Sequence, residues 1–446
     1  MAVTTCGNSS GSIGHFEQFS SRSAATPESG DDDTDHDIPP SNRAAPRTAM
    51  PTPATPVFES PDFLQKHIQS ILDFYEPRVI GPEAGLRSCF LDNGDCFDPH
   101  SRQLVGSARY VVNYAMAYRL YGAEHHREWA VRGLNYLTEV HRQPNGRYVW
   151  LLEKDAIVDD RVMAYGHAFV LLAAASCVRA GIDSALQTLH EAFDFMERYF
   201  WDAGDGAYAD ERNASLDTLD PYRGQNANMH MCEALLAAWQ ATRESRFLDR
   251  AELLAHRFAF ELAEQSDGQI WEHYDSNWQV DMQFNIDKPN DRYKPWGFQP
   301  GHQVEWSKLL LILNEERADE KWLPRARSLY EGAMQSGWDE EHGGLVYGVA
   351  PDGSFCAAEK YFWVQSEAFA AAWRLYRLTG EQRFLDDYQR IWQWSWAYLV
   401  DHRYGAWFRV RNRDGSPVDD RKSPLGKTDY HTMGACWDVL SQAVEE

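Results

Sequence analysis

The sequence predicts an all-α fold, a closed (α/α)6 toroid with small β-hairpins in its connecting loops, and three observations lead there. Six strongly apolar helical stretches each carry polar side chains near their start. Their anchor residues, Arg109, His167, His230, His302, Gln365 and His431, recur 58, 63, 72, 63 and 66 residues apart. Short breaks (YGAEH, RAGID, TRESR, NEERADEK, LTGEQ) follow these stretches and lead into second, more polar helices, so the repeating unit is an αα-hairpin. In an alternating up-down ring all inner helices run the same way, and the anchors at their N-termini meet at one end as a single pocket. An open solenoid would string them along a groove instead.

Taken in order, residues 1 to 55 are rich in Ser, Thr, Pro, Gly and Ala, carry the acidic run DDDTDHD, and hold few large apolar side chains. This arm is expected to be disordered, and it lacks the basic start and apolar core of a signal peptide. Residues 58 to 446 are expected to form one toroidal catalytic domain. PDFLQKHIQSILDFYEPRV reads as an amphipathic outer helix, and DNGDCFDP as a turn-rich link to the first anchored helix. Three further stretches hold two polar residues each: NANMHMCEALLAAWQAT has His230 and Glu233, YFWVQSEAFAAAWRLYRLTG has Gln365 and Glu367, and PWGFQPGHQVEWSKLLLIL has His302 and Glu305 one turn apart after a Pro-Gly turn. The segments WDAGDGAYADE, WDEEHGGLVYGVAPDG and DHRYGAWFRVRNRDG read as loops or small β-hairpins.

Net charge is −24, from 43 basic and 67 acidic residues, without a Lys/Arg cluster, so no nucleic-acid partner is expected. A neutral or weakly charged small ligand fits better. The seven cysteines are scattered and form no CxxC pair, which reads as reduced thiols in a cytoplasmic protein. The longest apolar stretch, Phe169 to Val178, is too short to cross a bilayer, so no membrane partner is expected either. A homo-oligomer is compatible with the sequence, which carries no information on its order.

Four histidines and an arginine at matching helix starts exceed what capping requires. The positive end of a helix dipole disfavours imidazolium, and neutral imidazole is what a general base near pH 7 must be. Glu305 is placed to orient or polarise His302, and Glu233 stands beside His230. Trp296, Tyr165, Phe298, Tyr361, Trp363 and Tyr430 lie within a few residues of the anchors, and flat rings beside polar donors suit a pyranose. Proton abstraction next to a sugar carbonyl needs a base, a cation for the enediolate oxygen and groups that open the ring, and the anchors include each type. Other classes place the same residues differently. A metal-dependent hydrolase would use His230, Glu233, His302 and Glu305, but HEXXH is absent; a glycoside hydrolase would use Glu305 and Glu367; a sugar-binding module would need only hydrogen bonds.

SAR at 107 to 109, NANMHMCEALLA, DRYKPWGFQPGHQVEW at 291 to 306 and KTDYH at 427 to 431 together resemble the N-acylglucosamine 2-epimerase superfamily, and most closely its aldose–ketose isomerase branch of mannose and sulfoquinovose isomerases. The resemblance implies the same six-hairpin toroid, no metal or organic cofactor, and interconversion of D-mannose and D-fructose, with D-lyxose and D-xylulose as a related pair. Sulfoquinovose isomerase and 2-epimerase of N-acylglucosamine or cellobiose are its alternatives. It implies that His431 moves a proton between C2 and C1, and that His302, supported by Glu305, is the second acid/base. Arg109 would stabilise the enediolate oxygens with His230 beside it, and Tyr165, Asn226, Arg292 and Trp363 would touch substrate. Arg292 favours the isomerase branch but suits a sulfonate and a hydroxyl alike. Lys427, four residues before His431, and the anchors His167 and Glu233 complete the expected substrate-binding set.

Overall fold

The computed structural model describes residues 54–443. Twelve α-helices alternate along the described chain: α1 (Pro61–Val79), α2 (Leu104–Tyr121), α3 (Glu124–Tyr136), α4 (Ala164–Arg179), α5 (Leu186–Tyr199), α6 (Gln225–Thr242), α7 (Ser245–His256), α8 (Pro300–Glu316), α9 (Trp322–Gly337), α10 (Phe362–Thr379), α11 (Gln382–Tyr398) and α12 (Tyr430–Ala443). The even-numbered helices pack in sequence, α2 on α4, α4 on α6, α6 on α8, α8 on α10 and α10 on α12, and α12 returns to α2. That last contact closes the ring, so the predicted (α/α)6 toroid is observed and the open solenoid is not.

Why these helices go inside follows from their composition. In α4, AYGHAFVLLAAASCVR, nearly every residue is buried, and a helix apolar on all sides is stable only when surrounded by protein. The outer helices α3, α5, α7, α9 and α11 are striped, and each lays its apolar face on the inner helix before it, while α1 lies on α12. Pro300 opens α8 at a position where its missing N–H costs nothing. Gly122 and Gly380, in the predicted breaks YGAEH and LTGEQ, end α2 and α10 at φ 68 and 70, a left-handed turn that glycine accepts without strain.

Short antiparallel ladders gather where the inner helices begin. Ser101–Gln103 pairs with Leu151–Glu153 ahead of α2, Arg223–Gly224 with His273–Tyr274 ahead of α6, and Lys360–Tyr361 with Val410–Arg411 ahead of α10. Trp201–Asp202 pairs with Ala207–Tyr208 within one of the segments expected to form a loop or hairpin, while Gly348–Val349 of a second such segment pairs with Phe355–Ala357 just beyond its end. DNGDCFDP, expected as a turn-rich link, also contributes Cys96–Asp98 to a three-stranded sheet with Cys89–Leu91 and Arg421–Ser423, which ties the last repeat to the first. Among the described residues Cys89, Cys96, Cys177, Cys232, Cys356 and Cys436 are free thiols, and no helix is long and apolar enough to cross a membrane. The arm expected over residues 1 to 55 lies, but for its last two residues, outside the described residues.

Candidate active site

Counting from the first residue of each inner helix, the sixth positions of α2, α4, α6, α8 and α10 are Arg109, Phe169, His230, Glu305 and Glu367. Together with His431 of α12 they form a closed ring of contacts around the toroid axis. Arg109 stacks on Phe169 at 4.5 Å, and Phe169 meets the His230 ring at 4.7 Å. Nδ1 of His230 is 3.7 Å from Glu305, whose carboxylate has an oxygen within 4.8 Å of both Glu367 and His431. Nδ1 of His431 bonds Glu367 at 2.7 Å, and Nε2 of His431 is 3.2 Å from the guanidinium of Arg109. Each residue comes from a different helix, so only ring closure assembles the set.

These contacts assign protons. Glu367 accepts from Nδ1 of His431, so Nε2 carries the lone pair and accepts from Arg109. Burial, with Arg109 adding to it, holds the His431 imidazolium down to about 4, and burial likewise lowers His230; both rings are neutral at pH 7. Arg109 also donates from Nη1 to the Gly426 carbonyl at 2.9 Å and from Nη2 to the Tyr165 hydroxyl at 3.1 Å, which fix the guanidinium plane, while its buried Nε has no partner. Glu305 is the odd carboxylate. It is 1% exposed, neither oxygen has a hydrogen-bond partner, and burial plus the neighbouring Glu367 and Glu233 push its proton affinity well up. Its surroundings therefore favour the neutral acid over the carboxylate, beside two imidazoles.

His302 forms a second carboxylate–imidazole pair, but not with the glutamate expected. Its Nδ1 lies 3.0 Å from both oxygens of Glu272, and the Gln225 amide donates to that carboxylate at 2.9 Å, leaving Nε2 for a ligand. Glu305, expected to support His302, faces His230 instead. Trp363 lies 5.1 Å from the His302 ring and 5.8 Å from that of His431. Tyr165 stands edge-on to His230 at 5.1 Å. Glu233 bonds Nδ1 of His230 at 3.0 Å and accepts from the Tyr430 hydroxyl. Asn226 is half-buried at the mouth with its Oδ1 unpartnered. Arg292 is exposed and lies near Tyr361, whose hydroxyl burial pushes up, with Arg409 and Arg292 opposing that rise.

Tyr293, unremarked in the sequence, spans the opening. Its hydroxyl accepts from Gln103 at 2.6 Å, its carbonyl from Asn226 at 3.3 Å, and its ring meets Trp150 at 5.5 Å and Tyr165 at 6.0 Å.

Two expected contacts and one repeat anchor fall outside the cluster. His167 and Gln365 occupy the fourth position of their helices, two residues and about 200° from the sixth. There they clamp neighbouring loops. His167 accepts from the Tyr148 amide at 3.1 Å, bonds the Met163 carbonyl at 2.8 Å and stacks on Phe195, while Gln365 bonds both backbone groups of Leu345. Asn228 and Gln303, also fourth, do the same for Tyr208 and Ile270. Lys427, expected to touch substrate, turns its buried ammonium to Asp429 at 2.5 Å and the Trp407 carbonyl at 2.7 Å, bracing the turn that delivers His431.

Two trios, His230–Glu233–Glu305 and Glu305–Glu367–His431, have donor spacing fit for a metal ion, as has Glu76–His125–His126 away from the ring. His302 belongs to neither axial trio, so the four-ligand set of the alternative metal-dependent hydrolase does not assemble. The glycosidase pair fares no better, because Glu367 is committed to His431 and to the ammonium of Lys308.

The N-acylglucosamine 2-epimerase (GlcNAc 2-epimerase) family model matches residues 85–435. D-mannose isomerase of Marinomonas mediterranea is 44% identical over 386 residues, covering 86% of this chain and 98% of that one. A crystal structure of D-mannose isomerase superposes with TM-score 0.86 at 44% identity, over 87% of this chain and all of the other. Cellobiose 2-epimerase from Bacillus thermoamylovorans superposes with TM-score 0.77 at 18% identity, covering 86% and 100%, which shows a shared fold.

Proposed function

The chain belongs to the N-acylglucosamine 2-epimerase family, a family of sugar isomerases and epimerases, and on that premise we propose that it interconverts D-mannose and D-fructose through a cis-enediolate. The observation that carries the reading is His431, a neutral imidazole whose bare Nε2 is held opposite a guanidinium.

In open-chain mannose, Nε2 of His431 takes the proton from C2. The electron pair moves to the C1 carbonyl, and the enediolate oxygen is met by Arg109, which exchanges its bond to Nε2 for one to the developing anion. The imidazolium formed is stabilised by Glu367 and returns the proton to C1. A proton must also pass from O2 to O1, and the ring must open first. His302, oriented by Glu272 and, like His431, near Trp363, is suited to both tasks. Beside Arg109, the remaining Nε2 of His230 offers an acceptor and Glu305, in its favoured neutral form, a donor. Trp363 and Tyr165 offer faces to the sugar's C–H surface, and Asn226 has a free acceptor at the mouth.

Tyr293 supports a monosaccharide rather than a longer glycan, since the segment that carries it is fastened across the opening. The free thiols fit the reduced cytoplasmic compartment expected from the sequence.

The test is an aldose panel with purified protein and no added metal, read by chromatography: mannose, lyxose, glucose, sulfoquinovose, N-acetylmannosamine and cellobiose. Fructose from mannose as the main conversion supports the proposal. Conversion confined to sulfoquinovose, or glucose formed from mannose without fructose, overturns it.

A further inference from the structure

A lysine lies one turn deeper than Glu305 on α8, within the apolar run SKLLLIL. Lys308 is 9% exposed, and its ammonium bonds Glu367. A charge so placed is costly to desolvate unless it is closely matched. The charged and titratable groups around it come from every packed element: Glu233 and His230 from α6, Glu305 from α8 itself, Glu367 from α10, His431, Tyr430 and Asp438 from α12, and Arg109 from α2. Four carboxylates thus lie around these two cations, and one of them, Asp438, is paired with Arg374. Arg109 hydrogen-bonds Gly426, Tyr165 and His431 rather than a carboxylate, whereas the ammonium of Lys308 bonds Glu367 directly, so Lys308 is the cation that serves the carboxylates.

Glu367 divides its two oxygens. One accepts from Lys308 and the other from Nδ1–H of His431. Glu305 has an oxygen within 4.8 Å of this carboxylate, and two carboxylates so close do not both ionise without a neighbouring cation. If Glu367 took the proton, it would donate to Nδ1, and His431 would hold its own proton on Nε2. That tautomer cannot accept a proton from C2.

We propose that Lys308 is a positioning residue for the proton transfer: its ammonium keeps Glu367 ionised, and Glu367 in turn keeps the imidazole proton of His431 on Nδ1. Lys308 thereby occupies, as a built-in cation, the electrostatic place beside Glu305, Glu367 and His431 that a metal ion would take. The kinetic consequence rests on the isomerase reading above; the tautomer does not.

The experiment compares wild type, Lys308→Met and Lys308→Arg, with folding checked by circular dichroism and thermal melting. Imidazole 15N spectra of the sugar-free proteins, with the His431 signal identified by its loss in His431→Ala, report which ring nitrogen carries the proton. The pH profile of kcat/KM for mannose reports the consequence. Wild type and Lys308→Arg are expected to show the Nδ1–H tautomer. Lys308→Met is expected to show the Nε2–H tautomer, or proton uptake by the Glu367–His431 pair raised by a pH unit or more. Its acidic limb should rise in step, with kcat at pH 7 down at least tenfold. A folded Lys308→Met with unchanged tautomer and unchanged limb overturns the proposal. Should Lys308→Met not fold, Lys308→Gln replaces it with the same expectations; failure of both while Lys308→Arg folds assigns the lysine a structural role and likewise overturns it. If the wild type does not turn over mannose, the isomerase reading fails while the spectra still decide the role of Lys308.

Discussion

The guanidinium of Arg109 lies 3.2 Å from Nε2 of His431, although 322 positions separate them in the chain. The contact joins the first inner helix to the last, so the chemistry exists only where the toroid closes. Local sequence supplies each group, and topology supplies their meeting. The fork of Arg109 is anchored on Gly426, Tyr165 and His431 at once, a geometry that a lysine cannot copy.

Arg109→Ala is expected to lower kcat about 10²- to 10³-fold, the range for removing an oxyanion-stabilising donor, with a smaller change in KM. Arg109→Lys should restore little of it. Steady-state kinetics with mannose make the check, and an effect confined to KM would place Arg109 in ground-state binding instead.

Glu272→Gln removes the negative charge that holds Nδ1–H of His302. Turnover should fall about 10²- to 10⁴-fold if His302 is an acid/base, with thermal stability nearly unchanged. Full activity in the folded variant would remove His302 from the reaction.

His167→Ala should damage the fold and spare the chemistry. The change strips the buried Tyr148 amide of its acceptor and leaves space beside Phe195, at a cost of about 2–4 kcal/mol. Urea unfolding reports the loss, and kcat/KM per folded molecule should match wild type. Lost catalysis at unchanged stability would return His167 to the pocket.

Acid affects stability and activity in different windows. Burial holds His67, His141, His167 and His431 down to about 4 in the folded chain, against about 6.5 when unfolded. Below that unfolded value the denatured chain binds protons that the native one refuses, so stability is fully present above roughly pH 6.5 and is lost as pH falls towards 4. Asp210, pushed up to about 7 by burial, and Glu305, pushed well up, work in the opposite direction, while His230 and His273, also lowered by burial, add to the four histidines. Urea midpoints should therefore drop between pH 7 and pH 5. The acidic limb of kcat/KM, set by neutral His431, should lie well below pH 6.5; a limb at or above that value would contradict a desolvated base.

The toroid was legible because six apolar runs and their breaks repeat at nearly constant length, and burial leaves one arrangement for helices apolar on every side. The convergence of Arg109, His230, His302 and His431 followed from that topology. Register did not follow as well. An apolar run fixes where a helix lies but not which of two residues, two positions apart, faces the axis, so His167 and Gln365 were grouped with Arg109 and His230. Glu272 and Tyr293 escaped notice because they sit on loops outside the repeat, where no period marks them. Lys308 was hidden by its apolar neighbours, although a lone cation in SKLLLIL is itself a sign that carboxylates lie nearby. Glu305 was paired with His302 by helical spacing alone, and the carboxylate that reaches that imidazole comes from a strand edge instead.

The central claim is that His431 carries the proton between C2 and C1 of the sugar. It is tested most directly by following fructose formation from D-mannose with purified, folded His431→Ala beside wild type. Steady production by wild type and none above the buffer rate by the variant is the predicted result; fructose formed by the variant at the wild-type rate would contradict the account.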